Sequence, residues 1–251
     1  MSEGCAGERP VALISGASRG IGRATAVDLA AHGYDIFGFY GSRAAASEET
    51  AKLVADVGGR YDALRVDGAD EAQVVRGFAE LRGRVGRGPA AVVVSAGITG
   101  DGLAATMSAA TFDRVIAVNL RGAFLVCRQA FRAMRRRGGS IVLVSSVSGL
   151  SGQPGQANYS ASKGGVNALT QALAKEGAPL GIRVNAVAPG YTDTDMLAAM
   201  NPAARRQMLG HIPMGRTAAP AEIASVIRFA LSPDASYMTG QVLVVDGGLT
   251  A

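Results

Sequence analysis

Short apolar runs at residues 11–15, 35–40, 62–66, 90–94, 140–145, 182–187 and 242–245 alternate along this chain with stretches of helical periodicity. Their near-continuous Val, Ile and Leu content leaves no polar face, so each strand has to be covered on both sides. Helical patterns fill the gaps, near residues 20–32, 47–57, 71–82, 111–137, 157–177 and 220–231. A strand that returns parallel to its neighbour through a helix does so by a right-handed crossover. The alternation therefore predicts an α/β fold, a doubly wound parallel sheet of seven strands with helices on both faces. No linker divides the chain, which reads as a flexible N-terminus at residues 1–9 and a single domain over residues 10–251. The local bias Arg82-Gly83-Arg84-Val85-Gly86-Arg87-Gly88 reads as a loop.

Ligands of such sheets bind outside the carboxyl ends of the strands, so the segments that follow the strands carry the chemistry. Val11-Ala12-Leu13-Ile14 leads into Ser15-Gly16-Ala17-Ser18-Arg19-Gly20-Ile21-Gly22 and then a helical pattern. Strand, glycine-rich turn and helix is the layout in which backbone N–H groups at a helix N-terminus hold a phosphate. The spacing is G-x-x-x-G-x-G rather than G-x-G-x-x-G, and 34 glycines make chance matches easy; the position directly after a strand gives this one its weight. Ser95-Ala96-Gly97 follow the fourth run, Ser146 the fifth and Pro189-Gly190 the sixth, so four distinctive segments share one edge.

Tyr159 and Lys163 stand four residues apart, hence on one helical face. The only lysines are Lys52, Lys163 and Lys175, so a lysine here reads as an ammonium chosen over the arginine this chain favours. A phenol titrates near pH ~10. A cation within about 4–6 Å favours the phenolate, and a phenol so tuned exchanges a proton with an alkoxide-like centre. An exposed Tyr/Lys pair on a helix is common, so the pair alone decides little.

Taken in order, the glycine turn, Ser95-Ala96-Gly97, Asn119, Ser146 and Tyr159 with Lys163 resemble the short-chain dehydrogenase/reductases. Pro189-Gly190-Tyr191-Thr192-Asp193-Thr194 and Asp246-Gly247-Gly248 are similar to that family too, and the resemblance runs from about Pro10 to the end. Gly155-Gln156-Ala157-Asn158-Tyr159 and the segment from Pro189 to Met196 most resemble its 3-oxoacyl carrier-protein reductases. The resemblance implies a Rossmann-like sheet and a catalytic set of Asn119, Ser146, Tyr159 and Lys163. Ser146 would hold a substrate carbonyl oxygen and Tyr159 would protonate it. Lys163 would lower the Tyr159 pKa and bond the cofactor ribose, and Asn119 would fix a water in a relay to Lys163. On the residues alone, Ser146 competes with its neighbours Ser145, Ser148 and Ser151 as a strand-end turn serine, and Asn119 with a buried asparagine satisfied by backbone.

The cofactor expectation is NADPH. The second run ends Phe39-Tyr40-Gly41-Ser42-Arg43, with no acid to hold a ribose 2′-hydroxyl, and Asp35 sits at the wrong end of it. Ser42 and Arg43, with Arg19 in the turn, are left to meet a 2′-phosphate, although either arginine alone could be a solvated surface charge. The turn itself contributes Gly16, Ser18, Arg19, Gly20, Ile21 and Gly22. The family implies Asp67 and Gly68 beside the adenine, with glycine where a valine is usual. It also implies Ser95, Ala96 and Gly97, with serine where asparagine is usual. Tyr159 and Lys163 would meet the ribose, and Pro189, Gly190, Thr192 and Thr194 the nicotinamide.

The implied reaction is reduction of a 3-oxoacyl thioester, presented by an acidic acyl carrier protein, in fatty-acid or polyketide synthesis. The alternatives are a reductase of a free small ketone or secondary alcohol, and a non-catalytic NADP-binding regulator. Met196, Leu197, Met200, Met208, Leu209, Ile212 and Met214 resemble a substrate lid whose methionines suit an acyl chain, or equally a helix packed on the core. The net charge of +5 and the run Arg132, Arg135, Arg136, Arg137 admit two readings, a helix end favoured by its dipole or a carrier-protein dock beside the site. Leu180 stands where such reductases often have a basic residue. Aromatic content of 5% and the lack of a binding module argue against nucleic acid. No apolar run approaches the ~20 residues of a membrane helix, and no signal-peptide pattern opens the chain. Cys5 and Cys127 lack a metal-ligand cluster and suit a reducing cytoplasm. The family implies a homotetramer, with Gln241–Ala251 as interface.

Overall fold

The computed structural model describes residues 9–195 and 208–251. The expected flexible N-terminus, apart from Arg9, lies outside these residues, as do Cys5 and the Met196–Gln207 part of the expected lid. The strands are β1 (Val11–Ser15), β2 (Asp35–Tyr40), β3 (Tyr61–Arg65), β4 (Ala91–Val94), β5 (Gly139–Val144), β6 (Ile182–Pro189) and β7 (Val242–Val245). They form one sheet in the order β3-β2-β1-β4-β5-β6-β7, every neighbouring pair parallel. The order reverses between β1 and β4, which opens a crevice at their carboxyl ends.

The helices are α1 (Gly20–Ala31), α2 (Ala44–Asp56), α3 (Glu71–Val85), α4 (Ala109–Ile116), α5 (Gly122–Met134), α6 (Ser148–Ser151), α7 (Ala157–Gly177) and α8 (Pro220–Leu231). Two expectations need correction. The biased segment at residues 82–88 is helical through Val85, because Leu81 is fully buried and Arg84 pairs with Glu80 and Asp62. The loop starts only at Gly86, whose φ of 74° is the left-handed C-cap that a glycine supplies. The helix expected over 111–137 is interrupted by a π-helical stretch, Ala117–Arg121, between α4 and α5, and it ends at Met134. Such wide turns gather at functional sites. No helix among the described residues is long and apolar enough to cross a membrane.

Alternation along each strand sorts the core into two layers. On β1, Val11 and Leu13 join Phe37, Phe39, Leu81, Val126 and Val166 on the face covered by α3, α5 and α7. Ala12 and Ile14 join Leu29, Val93, Ile223 and Ile227 on the face covered by α1 and α8. Cys127 belongs to the first layer; burial pushes its thiol up to about 12, so it packs as a small apolar residue.

Candidate active site

The glycine turn is fixed by contact on three sides. The Gly16 and Ala17 N–H groups donate to the Phe39 carbonyl of β2 at 2.9 and 3.2 Å, and Ser95 N–H donates to the Ser15 carbonyl at 3.0 Å. Gly16 has φ 79°, and a Cβ there would lie 2.7 Å from the Ala96 nitrogen. A Cβ on Gly22 would lie 2.1 Å from the Gly16 carbonyl oxygen, so α1 can rise this close to the turn only on a glycine. No side chain caps α1 and no acid occupies its first turn. Its leading N–H groups therefore face the cleft as donors for an anion. Arg23, which sequence reasoning did not single out, braces the turn from behind: its guanidinium donates to the Ser18 and Ala46 carbonyls, Thr50 Oγ1 and Glu49 Oε2.

A cleft of about 1150 Å³ opens along this edge. It is lined by every residue of the expected site except Gly22 and Asn119, which lie just behind it. Two arginines, Arg19 and Arg43, reach the same carboxylate oxygen of Asp195, at 3.8 and 3.5 Å. They therefore converge on one anionic group, a juxtaposition that Asp195 gave no sequence signal for. Asp67 Oδ1 accepts from Ala69 N–H at 2.9 Å and holds its own turn beside Gly68. Thr194 lies over Gly20, whose added Cβ would be 3.3 Å from the threonine methyl. Thr192 is nearly buried and bridges to Ala218.

Deeper in the cleft the neighbouring serines are engaged differently. The Ser145 hydroxyl turns inward and donates to Asn167 Oδ1 at 2.6 Å. The Ser146 hydroxyl acts on the Tyr159 phenol, pulling its pKa down, and accepts from Ser148 N–H at 3.2 Å. Tyr159 lies in the first turn of α7, a helix anchored by Asn158, which is fully buried and donates to the Gly100 carbonyl at 2.8 Å. Lys163 is 4% exposed, and its Nζ donates to the Val144 carbonyl at 2.7 Å and lies 5.6 Å from the Tyr159 ring centre.

Lys163 does not depress the Tyr159 phenol as expected. Burial raises that phenol above its ordinary value, the Ser146 hydroxyl offsets part of this, and the Asp101 carboxylate adds to it. The ammonium is turned to Val144 instead, and burial lowers its own pKa to about 8. Asn119 lies in the π-helical stretch with its amide spent. Oδ1 accepts from Ile98 N–H at 2.9 Å, while Nδ2 donates to the Ile98 carbonyl at 3.0 Å and to Ser162 Oγ at 3.1 Å. These bonds tie the π turn to the segment after Gly97 and to α7.

The Arg132–Arg137 run is not beside this site. α5 runs counter to the strands, so its end reaches the amino edge of the sheet, opposite the cleft. Of the expected lid, Met208 and Ile212 are buried, and Ile212 packs on Gly247 of the C-terminal turn.

A family model described as enoyl-(acyl carrier protein) reductase matches residues 16–250. Three relatives are named 3-oxoacyl-(acyl-carrier-protein) reductase FabG. The one from Aquifex aeolicus is 40% identical over 242 residues, 95% of this chain and 96% of its own. The one from Thermotoga maritima is 42% identical over 246 residues, 96% of this chain and 98% of its own. The one from Escherichia coli is 38% identical over 244 residues, again 96% and 98%.

Proposed function

The chain belongs to the short-chain dehydrogenase/reductase family, and from that premise we propose that it reduces a 3-oxoacyl thioester, carried on an acyl carrier protein, with NADPH. The observation that carries this reading is the convergence of two hydroxyl donors, Ser146 and Tyr159, in the cleft that begins at the glycine turn. A ketone oxygen set between them accepts from both, and both bonds strengthen as negative charge grows on that oxygen. Tyr159 then releases its proton to the oxygen. Its raised pKa keeps that proton in place at neutral pH, the state a proton donor needs. Lys163, oriented by its bond to the Val144 carbonyl, serves the cofactor ribose, and Asn119 positions α7 against the Ile98 segment.

The residues suit a phosphorylated nicotinamide cofactor. The uncapped N-terminus of α1, with Gly16, Ser18, Gly20, Ile21 and Gly22, receives the pyrophosphate. Arg19, Arg43 and Ser42 receive the 2′-phosphate at the point where Asp195 now satisfies both arginines. Asp67, Gly68, Ser95, Ala96 and Gly97 line the adenosine side, Tyr159 and Lys163 the ribose, and Pro189, Gly190, Thr192 and Thr194 the nicotinamide. When bound, NADPH supplies the hydride that the ketone carbon accepts.

The name attached to the matching family model favours a second reading, reduction of a 2-enoyl thioester. There the hydride goes to C3 and charge develops on the thioester oxygen as an enolate, which the same two donors also meet, so the pair alone does not separate the two reactions. The relatives' printed names favour the ketone. The setting proposed is cytoplasmic fatty-acid synthesis, with polyketide synthesis the other pathway that uses this step.

Loss of NADPH absorbance with an acetoacetyl thioester tests the proposal against a crotonyl thioester and against NADH. Wild type should turn over the acetoacetyl substrate with NADPH, and Tyr159→Phe should be slower by roughly 10²–10⁴-fold. Turnover confined to the crotonyl thioester would move the assignment to the enoyl reductase. Binding of NADPH without turnover of either would remove the catalytic reading.

A further inference from the structure

The reacting end of the cleft is built from the hydroxyl donors Ser146 and Tyr159, yet its rim holds a pair of acceptors. Asp101, on the loop after β4, and Gln156, at the start of α7, both line the cleft. Gln156 is the N-cap residue of α7, but its side chain does not cap the helix. Its Nε2 donates instead to both carboxylate oxygens of Asp101, at 3.1 and 3.2 Å. Bonds on either side fix the pair in place. Gly102 N–H donates to the Gly155 carbonyl at 2.8 Å, and the Asn158 amide donates to the Gly100 carbonyl at 2.8 Å.

Both partners keep acceptor capacity. With its amide nitrogen on Asp101, Gln156 retains Oε1, which meets no donor among the described residues. Asp101 pairs with no cation among them, and a carboxylate accepts more hydrogen bonds than one amide supplies. The Asp101 charge does not serve proton transfer. It reaches the Tyr159 phenol and disfavours the phenolate, and it opposes an oxyanion at the same place. A carboxylate held firmly where it opposes the developing charge suits another task, that of receiving an N–H of the substrate.

Gln156 and Tyr159 are three residues apart at the start of α7, an offset that sets side chains on one face with Cβ atoms ~5–6 Å apart. The acceptor pair therefore lies just beyond the place of the ketone. In an acyl thioester borne on a carrier protein, the first N–H donor is a secondary amide a few bonds past the sulfur. Resting on the reading of this cleft as that of a 3-oxoacyl thioester reductase, we propose that Asp101, oriented by Gln156, accepts a hydrogen bond from that amide. The pair thus selects amide-bearing thioesters over simple ketones, which have no N–H to offer.

The test compares two acetoacetyl thioesters by NADPH oxidation: the N-acetylcysteamine thioester, which has the amide, and its isostere with an ester oxygen in place of the N–H. Wild type should favour the amide by about tenfold in kcat/KM, the effect of one hydrogen bond to a charged group in a partly solvated site. The difference should lie in KM, because the bond is made equally before and during reaction. Asp101→Ala should bring the ratio close to one, and Gln156→Met, which frees the carboxylate from its orientation, should lower it part of the way. Each ratio is taken within one protein, so any loss of folded enzyme cancels. Equal use of the two thioesters by wild type, or a preference that survives Asp101→Ala, overturns the proposal and leaves the reductase standing. Turnover of neither thioester by wild type overturns the reductase reading and the amide contact with it.

Discussion

Lys163 combines a structural cost with a chemical use. Its amine is buried against the Val144 carbonyl, and its pKa falls to about 8 from the ordinary 10.5. Because the folded value lies below the unfolded one, the cost of burying the charge is full below pH ~8 and disappears above ~10.5. A shift of that size corresponds to a cost on the order of 3 kcal/mol at neutral pH. Lys163→Met should therefore lose NADPH-dependent reduction while melting no lower than wild type at pH 7, checked by calorimetry beside the activity assay. In wild type, reductase activity should decline as pH rises through about 8 and Lys163 gives up its proton. A flat profile from pH 7 to 9 would mean that the ammonium is not needed. Ser145 and Ser146 make the same point by contrast: one hydroxyl is spent on Asn167 and the other faces Tyr159.

Elements are joined here by side chains that complete helix ends. Arg183, on β6, donates to the carbonyls of Ala230, Leu231, Ser232 and Met238, three of them at the C-terminal end of α8. Those carbonyls have no partner within the helix, and a cation at this end also meets the negative pole of its dipole. Arg183→Ala leaves several carbonyls unsatisfied, at ~1–3 kcal/mol for each that water cannot reach. A loss of about 2–3 kcal/mol is expected, a fall in Tm of about 5–10 °C for a chain of this size. Arg183→Lys should recover only part of it, since an ammonium cannot span four carbonyls in a fork. A Tm within a degree of wild type for Arg183→Ala would show that water replaces the guanidinium at this end.

At the scale of the whole molecule, the sheet is unequally covered. β1, β4 and β5 are almost wholly buried, whereas on β7 Val244 is 45% exposed, and Phe229 of α8 is equally so. An edge strand with an exposed valine suits a contact with another copy of the chain, and the homotetramer that the family resemblance implies is tested there. Val244→Asp should lower the sedimenting mass without changing the far-ultraviolet circular dichroism. An unchanged mass would place the contact elsewhere.

By itself the sequence determined the parallel sheet, because strands apolar on both faces, alternating with helices, have one economical arrangement. It also determined the glycine turn and the Tyr159/Lys163 spacing, because both are local: a turn requires glycine where a Cβ would strike backbone, and a four-residue offset is a helical neighbour. Tertiary structure alone decided where Lys163 points, since burial and the Val144 carbonyl come from β5 rather than from α7. It decided too that Asp195 meets Arg19 and Arg43, that Asn119 is satisfied by Ile98 and Ser162, and that the arginine run lies at the far edge from the cleft. Each of these depends on segments distant in the chain being brought together, and local pattern carries no record of that.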